Sequence, residues 1–134
     1  MIELEYKSDF LEVSYDSANS WVVNKWTDNT RYLTIDQYKQ ETLALLKVFV
    51  DHQPLAGILS LTQDFHFVVD PEMQEWITKI FEGYLPSKSA IVVGSEFVSQ
   101  LSIEQTVQDL DVIVRYFDNE SEAKEWLLDK TKMS

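Results

Sequence analysis

The chain has 134 residues, 45% of them apolar and 25% charged, the balance of an ordinary globular domain, and one domain over residues 1–134 is the expectation. Eleven basic residues against 23 acidic ones give a net charge of -12, which repels phosphate backbones and anionic lipid surfaces and argues against nucleic acid as a partner. The lack of cysteine excludes disulfides, thiolate metal sites, iron–sulfur clusters and a cysteine nucleophile.

The opening Met1-Ile2-Glu3-Leu4-Glu5 lacks the basic start and apolar run of about 7–15 residues that mark an export signal. The longest apolar stretch, Leu43 to Val50 interrupted by Lys47, falls short of the ~20 residues that span a bilayer. A cytoplasmic location without a membrane span is therefore expected.

Phe10 to Tyr15 alternates apolar and polar residues and reads as a strand; Asp16 to Ser20 carries turn residues, and Trp21 to Trp26 reads as its antiparallel hairpin partner. Thr34 and Gln37 form a capping box, in which each side chain satisfies a backbone N–H at the start of a helix. Ile35, Tyr38, Thr42, Leu45, Leu46, Phe49 and Val50 continue as its apolar stripe until Pro54. Leu55 to Leu61 is nearly all apolar, as a central strand covered on both faces should be. Asp70-Pro71 starts a second helix, the carboxylate capping and the proline losing no needed bond. Its stripe is Met73, Trp76, Ile77, Ile80, Phe81 and Tyr84, and Gly83 with Pro86 ends it.

Ala90 to Val93 is a further buried strand closed by Gly94, after which Glu96 to Leu101 reads as a helical turn. Ser102 with Gln105 is a second capping box, predicting a brief helix that carries Ile103, Val107 and Leu110. Asp111 to Phe117 is the last strand, and Glu120 to Lys130 a closing helix that buries Ala123, Trp126 and Leu127. Strands separated by helices lie parallel through right-handed crossovers. The expected fold is α/β, a single mixed sheet of about five strands that opens with an antiparallel hairpin.

Three glycines, Gly57, Gly83 and Gly94, are too few and too scattered for a dinucleotide fingerprint or a P-loop. His52 and His66 have no metal-binding pattern around them, so neither a metal nor another cofactor is expected. Ligands of open α/β sheets bind beyond the carboxyl ends of the strands, which draws attention to Thr62, Gln63, Asp64, Phe65 and His66 after the central strand, and to Gly94 after the next. In an extended chain Asp64 and His66 point the same way, and the carboxylate can orient the imidazole as a general base; a solvated surface pair is the plainer reading. Asp70 and Glu72 complement the positive end of the second helix, and serve either as caps or as an acidic knob for a basic partner. Phe65, Phe67, Val68 and Val69 are unusually apolar for a connection, so that they form an exposed recognition patch or plug the core or a dimer seam.

The order of elements, the Gly57-Ile58-Leu59-Ser60-Leu61 strand followed by a helix at Asp70, and the closing segments Val112 to Asn119 and Glu122 to Leu127 resemble the STAS-like family of bacterial anti-sigma factor antagonists, over residues 8 to 129. The closing segment most resembles small bacterial members described as STAS-like or lipid-transfer-like. The resemblance implies a regulatory domain that binds other proteins. Family members place Asp-Ser-Ser-Gly at the helix start, one serine being phosphorylated. Here Asp70 matches, but Pro71 and Glu72 replace the hydroxyls, so the phosphorylation switch is not carried over. The leading expectation is a non-enzymatic cytoplasmic module that binds another protein or a second copy of itself through residues 62–72. A carrier of a small apolar ligand or lipid is the alternative, and an enzyme using Asp64 and His66 the third.

Overall fold

The computed structural model describes residues 2–94, the backbone of 104–107, and residues 112–129. They form one mixed sheet of seven strands. In chain order the elements are β1 (Ile2–Lys7), β2 (Leu11–Asp16), β3 (Trp21–Trp26), a 3₁₀ turn (Asp28–Tyr32), α1 (Ile35–Asp51), β4 (Gly57–Leu61), α2 (Pro71–Phe81), β5 (Lys88–Val92), β6 (Glu104–Val107), β7 (Val112–Phe117) and α3 (Glu120–Leu128). Across the sheet the strands run β1-β2-β3-β4-β5-β7-β6. The pairs β3·β4, β4·β5 and β5·β7 are parallel, whereas β1·β2, β2·β3 and β6·β7 are antiparallel. The α/β class, the opening hairpin and the central place of β4 agree with expectation.

Two edge strands bring the expected five to seven. Ile2, Leu4 and Tyr6 alternate with Glu3, Glu5 and Lys7, a period-two pattern that pairs β1 with β2, with an irregularity between Leu4 and Tyr6. Glu104 to Val107 pairs antiparallel with β7 and is not helical, which overturns the helix expected there. The capping box at Ser102 and Gln105 is a local signal, whereas Thr106 and Val107 are β-branched and β7 offers an open row of backbone donors and acceptors; pairing outweighs the weak local preference. The helical turn expected at Glu96 to Leu101 lies outside the described residues, as does most of the brief helix after it.

The capping box of α1 is present, Gln37 N donating to Thr34 Oγ1 at 3.1 Å and Thr34 N to Gln37 Oε1 at 3.0 Å. Its buried face is Tyr38, Thr42, Leu45, Val48 and Phe49, while Ile35 and Val50, expected in the stripe, are exposed at 54% and 43%. The same face buries a carboxylate, Glu41. Tyr6 Oη donates to Glu41 Oε2 at 2.7 Å, and the Ser8 hydroxyl donates to Glu41 Oε1. A buried charge needs such donors, and these two tie the edge strand β1 to α1. In α2, Asp70 Oδ1 accepts from Met73 N at 2.8 Å, and Gly83 ends the helix region with φ +89°.

Alternation along the strands divides the core in two. Leu11, Val13, Val22 and Ile58 face α1 and α2 together with Phe49 and Phe81. Leu59, Ala90, Val92 and Phe117 face α3 with Trp21, Trp126 and Leu127. Burying each large apolar side chain contributes about 1.5–3 kcal/mol. The α3 side packs closely at the sheet and carries pockets of about 380 Å³ and 320 Å³ along the two flanks of the helix, one beside Arg115 and Glu125 and the other beside Asp16 and Lys124. A Cβ built on Gly57 would stand 3.0 Å from Trp21 Cδ1 and 3.1 Å from Leu127 Cδ2, so the glycine lets both side chains reach the strand. Lys88, 1% exposed, runs beneath α3 and its Nζ donates to Trp126 O at 2.8 Å and Asp129 O at 2.6 Å, placing a cation at the negative end of the helix. Gly57→Val should overpack this face and lower the unfolding free energy by about 1–3 kcal/mol in urea titration; an unchanged midpoint would contradict the packing described.

Candidate ligand-binding site

The face under α1 and α2 is not closed. The inward side chains there are Val22, Asn24 and Trp26 of β3, Ile58 and Ser60 of β4 with Thr62 just beyond it, and Ser89 and Ile91 of β5. A pocket of about 370 Å³ lies between these strands and the helices, lined by all of these side chains except Val22. Tyr38, Leu45 and Phe49 of α1 and Ile77 and Phe81 of α2 form its apolar roof. The volume lies within the range of about 300–1,000 Å³ typical of small-molecule sites.

Its floor carries a short polar row. Asn24 and Ser60 are cross-strand partners, and Asn24 Nδ2 donates to Ser60 Oγ at 3.0 Å. Asn24 is 2% exposed, deep for an amide. Ser89 stands beside Ile58 on β5, one inward position before the Ser60 level. Thr62 donates through both N and Oγ1 to Val92 O, each at 2.9 Å, which locks the exit of β4 to β5. Tyr38 lies in the roof, where burial pushes its phenol above the usual pKa of 10.0.

The connection from Thr62 to Val69 packs behind Trp26 and Tyr38 of the pocket wall. Phe65 meets Trp26 edge-on with centroids 5.2 Å apart, and Phe67 stacks on Tyr38 at 4.6 Å. Val69 also packs against this core, while Val68 is 85% exposed. One buried hydroxyl organises the segment. Thr30, 1% exposed, donates to Thr27 O at 2.8 Å and faces Asp64 O at 3.2 Å, and it accepts from His66 N at 2.8 Å.

His66 Nε2 lies 2.8 Å from Asp28 Oδ1, and among the described residues no hydrogen bond joins it to Asp64. The expected Asp64–His66 pair is thus not assembled: Asp64 serves through its backbone oxygen, and Asp28 occupies the place beside the imidazole. Hydrogen bonding from Arg31, above all, and from His66 holds the Asp28 carboxyl below its ordinary pKa, but these side chains are largely exposed and their pairing contributes little. Gln63 is exposed. Asp70 acts as the cap of α2 and Glu72 stands exposed in its first turn, beside a shallow groove with Lys39 and Trp76. Gly94 is half-buried just past β5. Of the residues singled out from the sequence, Thr62 lines the cavity and Phe65 supports its wall; the others do not line it.

Asn24, Ser60, Ser89 and Thr30 were not expected. Their signal in the sequence is faint: Asn24 shares the phase of Val22 and Trp26, and Ser60 interrupts the apolar run of β4. Among the described residues no group of three or more His, Cys, Asp and Glu side chains could hold a metal, and no helix is long and apolar enough to cross a membrane. No family model, curated protein or solved structure matches the chain.

Thr30→Val keeps the shape but strands the amide of His66, and should cost about 1–3 kcal/mol with faster hydrogen exchange at that amide. Wild-type exchange rates there would contradict the role given to the hydroxyl. The unfolded chain releases the Tyr38 proton near pH 10 whereas the folded chain holds it higher, so the unfolded state binds fewer protons and stability falls as pH rises above 10. Tyr6, raised by burial and by the Glu41 carboxylate, adds to the same decline. Tyr38→Phe should therefore give a shallower loss of stability between pH 10 and 12 in thermal melts than the parent protein shows.

Proposed function

We propose that this domain is a non-enzymatic cytoplasmic carrier that holds one small, mainly apolar molecule between the sheet and the α1–α2 pair. The observation that carries this reading is the lining of the 370 Å³ pocket, mainly apolar side chains from the sheet and both helices with a few polar groups among them, whereas the similar space of about 380 Å³ beside α3 is lined mostly by charged residues. The space under α1 and α2 opens to solvent and has room for about a dozen waters at roughly 30 Å³ each. Asn24 and Ser60 occupy positions where apolar side chains would have filled it.

The STAS-like affiliation belongs to the same proposal. It is supported by the mixed sheet, the central β4 and the Asp70 cap of α2, while Pro71 and Glu72 in place of hydroxyls favour regulation by occupancy over regulation by phosphorylation. A protein-interaction module is the second reading, and Val68 is the observation in its favour. It draws less support because Phe65, Phe67 and Val69 turn inward onto the core, which leaves little of the apolar connection for a partner to touch.

Butylbenzene, whose ten carbons suit the space, serves as a test ligand. The expected result is saturable one-to-one binding, with a shift in tryptophan fluorescence from Trp26 in the wall and stabilisation of about 2.7 kcal/mol at a hundred times the dissociation constant. Native mass spectrometry of gently purified protein should also show a small adduct that denaturation releases. No binding of butylbenzene or of an eight-carbon amide or carboxylate up to their solubility, and no adduct, would refute the carrier reading; a stable homodimer in light scattering would then favour the second.

A further inference from the structure

The polar row on the cavity floor has unused hydrogen-bonding capacity. Asn24 Nδ2 donates to Ser60 Oγ, and no other hydrogen bond of the Asn24 side chain occurs among the described residues, so its carbonyl oxygen accepts nothing. Ser60 Oγ receives that bond, and its own proton has no acceptor there. The Ser89 hydroxyl, also in the cavity wall, has no partner among the described residues. The acceptor of Asn24 and the donors of Ser60 and Ser89 thus face the open space between the sheet and the helices. Water can satisfy them in the free protein. A purely apolar ligand that displaced this water would leave the groups stranded, whereas one carrying its own donor and acceptor would replace the lost bonds.

Charge narrows the class further. None of the described lining residues is ionisable except Tyr38, which burial keeps protonated. Glu41, the buried carboxylate of α1, is engaged by Tyr6 and Ser8 and does not line the cavity. A carboxylate or ammonium head would therefore enter without a counter-charge, at high desolvation cost.

We infer that the ligand is an uncharged amphiphile of about a dozen non-hydrogen atoms, with a head that both donates and accepts, such as a primary amide or an alcohol, seated on Asn24, Ser60 and Ser89. This rests on the carrier reading and specifies the head group within it. The Asn24–Ser60 pair reads the head, and the roof of Tyr38, Phe49 and Phe81 holds the chain.

Calorimetric titration with octanamide, octanoate and butylbenzene separates the two levels. At pH 8, where a carboxyl group is ionised, octanamide should bind at least tenfold more tightly than octanoate. Octanoate binding that weakens about tenfold per pH unit from pH 6 to 8 would mean entry as the neutral acid, and would support the inference. Asn24→Leu should lower octanamide affinity at least tenfold while leaving butylbenzene bound as well or better. If that variant fails to fold, Ser89→Ala, a smaller change on a half-buried residue, should lower octanamide affinity in the same selective way. Octanoate at pH 8 binding as tightly as octanamide, or equal losses for octanamide and butylbenzene, would overturn the head-group assignment while leaving the cavity a ligand site. Failure of all three probes to bind would instead remove the carrier reading beneath it.

Discussion

Placement of β4 between β3 and β5, with helices on both sides, is the constraint from which the other features follow. A strand in that position sends successive side chains to opposite layers, so each residue of Gly57 to Leu61 is committed to one of two cores. Gly57, Leu59 and Leu61 belong to the layer beneath α3, and Ile58 and Ser60 to the layer beneath α1 and α2. A slip of one residue would exchange the two sets and place Ser60 in the layer beneath α3. The parallel register with β3, which sets Gly57 against Trp21 and Ser60 against Asn24, holds that division.

The two layers solve opposite problems. Beneath α3 the sheet offers Gly57 and Ala90 among larger residues, Gly57 leaving room for Trp21 of the neighbouring strand and Leu127 of the helix, and Lys88 meets the carbonyls at the helix end. Beneath α1 and α2 the large rings of Tyr38, Phe49 and Phe81 sit in the helices, while asparagine and serine occupy the floor. Apolar rings laid directly on these polar groups would leave donors and acceptors unmet, and the pocket beside them gives water access. The two layers are therefore consequences of the same alternation, with different residues in the two phases.

The connection beyond β4 shows how a surface segment becomes part of a core. Its aromatic residues fold back on Trp26 and Tyr38, and Thr30, contributed by a different turn, satisfies the backbone that this path buries. A buried loop needs such a partner, because its amides and carbonyls have no ladder to join. His66 is consequently held at the rim beside Asp28, and the charged residues of the segment stay in water.

The sequence by itself determined what depends on a few neighbouring residues. The capping pairs Thr34 with Gln37 and Asp70 with Pro71, the alternation of the hairpin strands and the apolar run at β4 each act over one or two turns or strands, and all of them appear in the structure. Tertiary structure alone decided what depends on register and on distant partners. Glu104 to Val107 became a strand because β7 had an open edge, Glu41 could be buried because Tyr6 and Ser8 arrive from β1, and His66 found Asp28 instead of Asp64. The site followed the same rule. Asn24, Ser60 and Ser89 are ordinary residues in their own segments, and they become a polar floor only when three parallel strands align them on one face, since hydrogen bonding and burial are properties of the assembled neighbourhood.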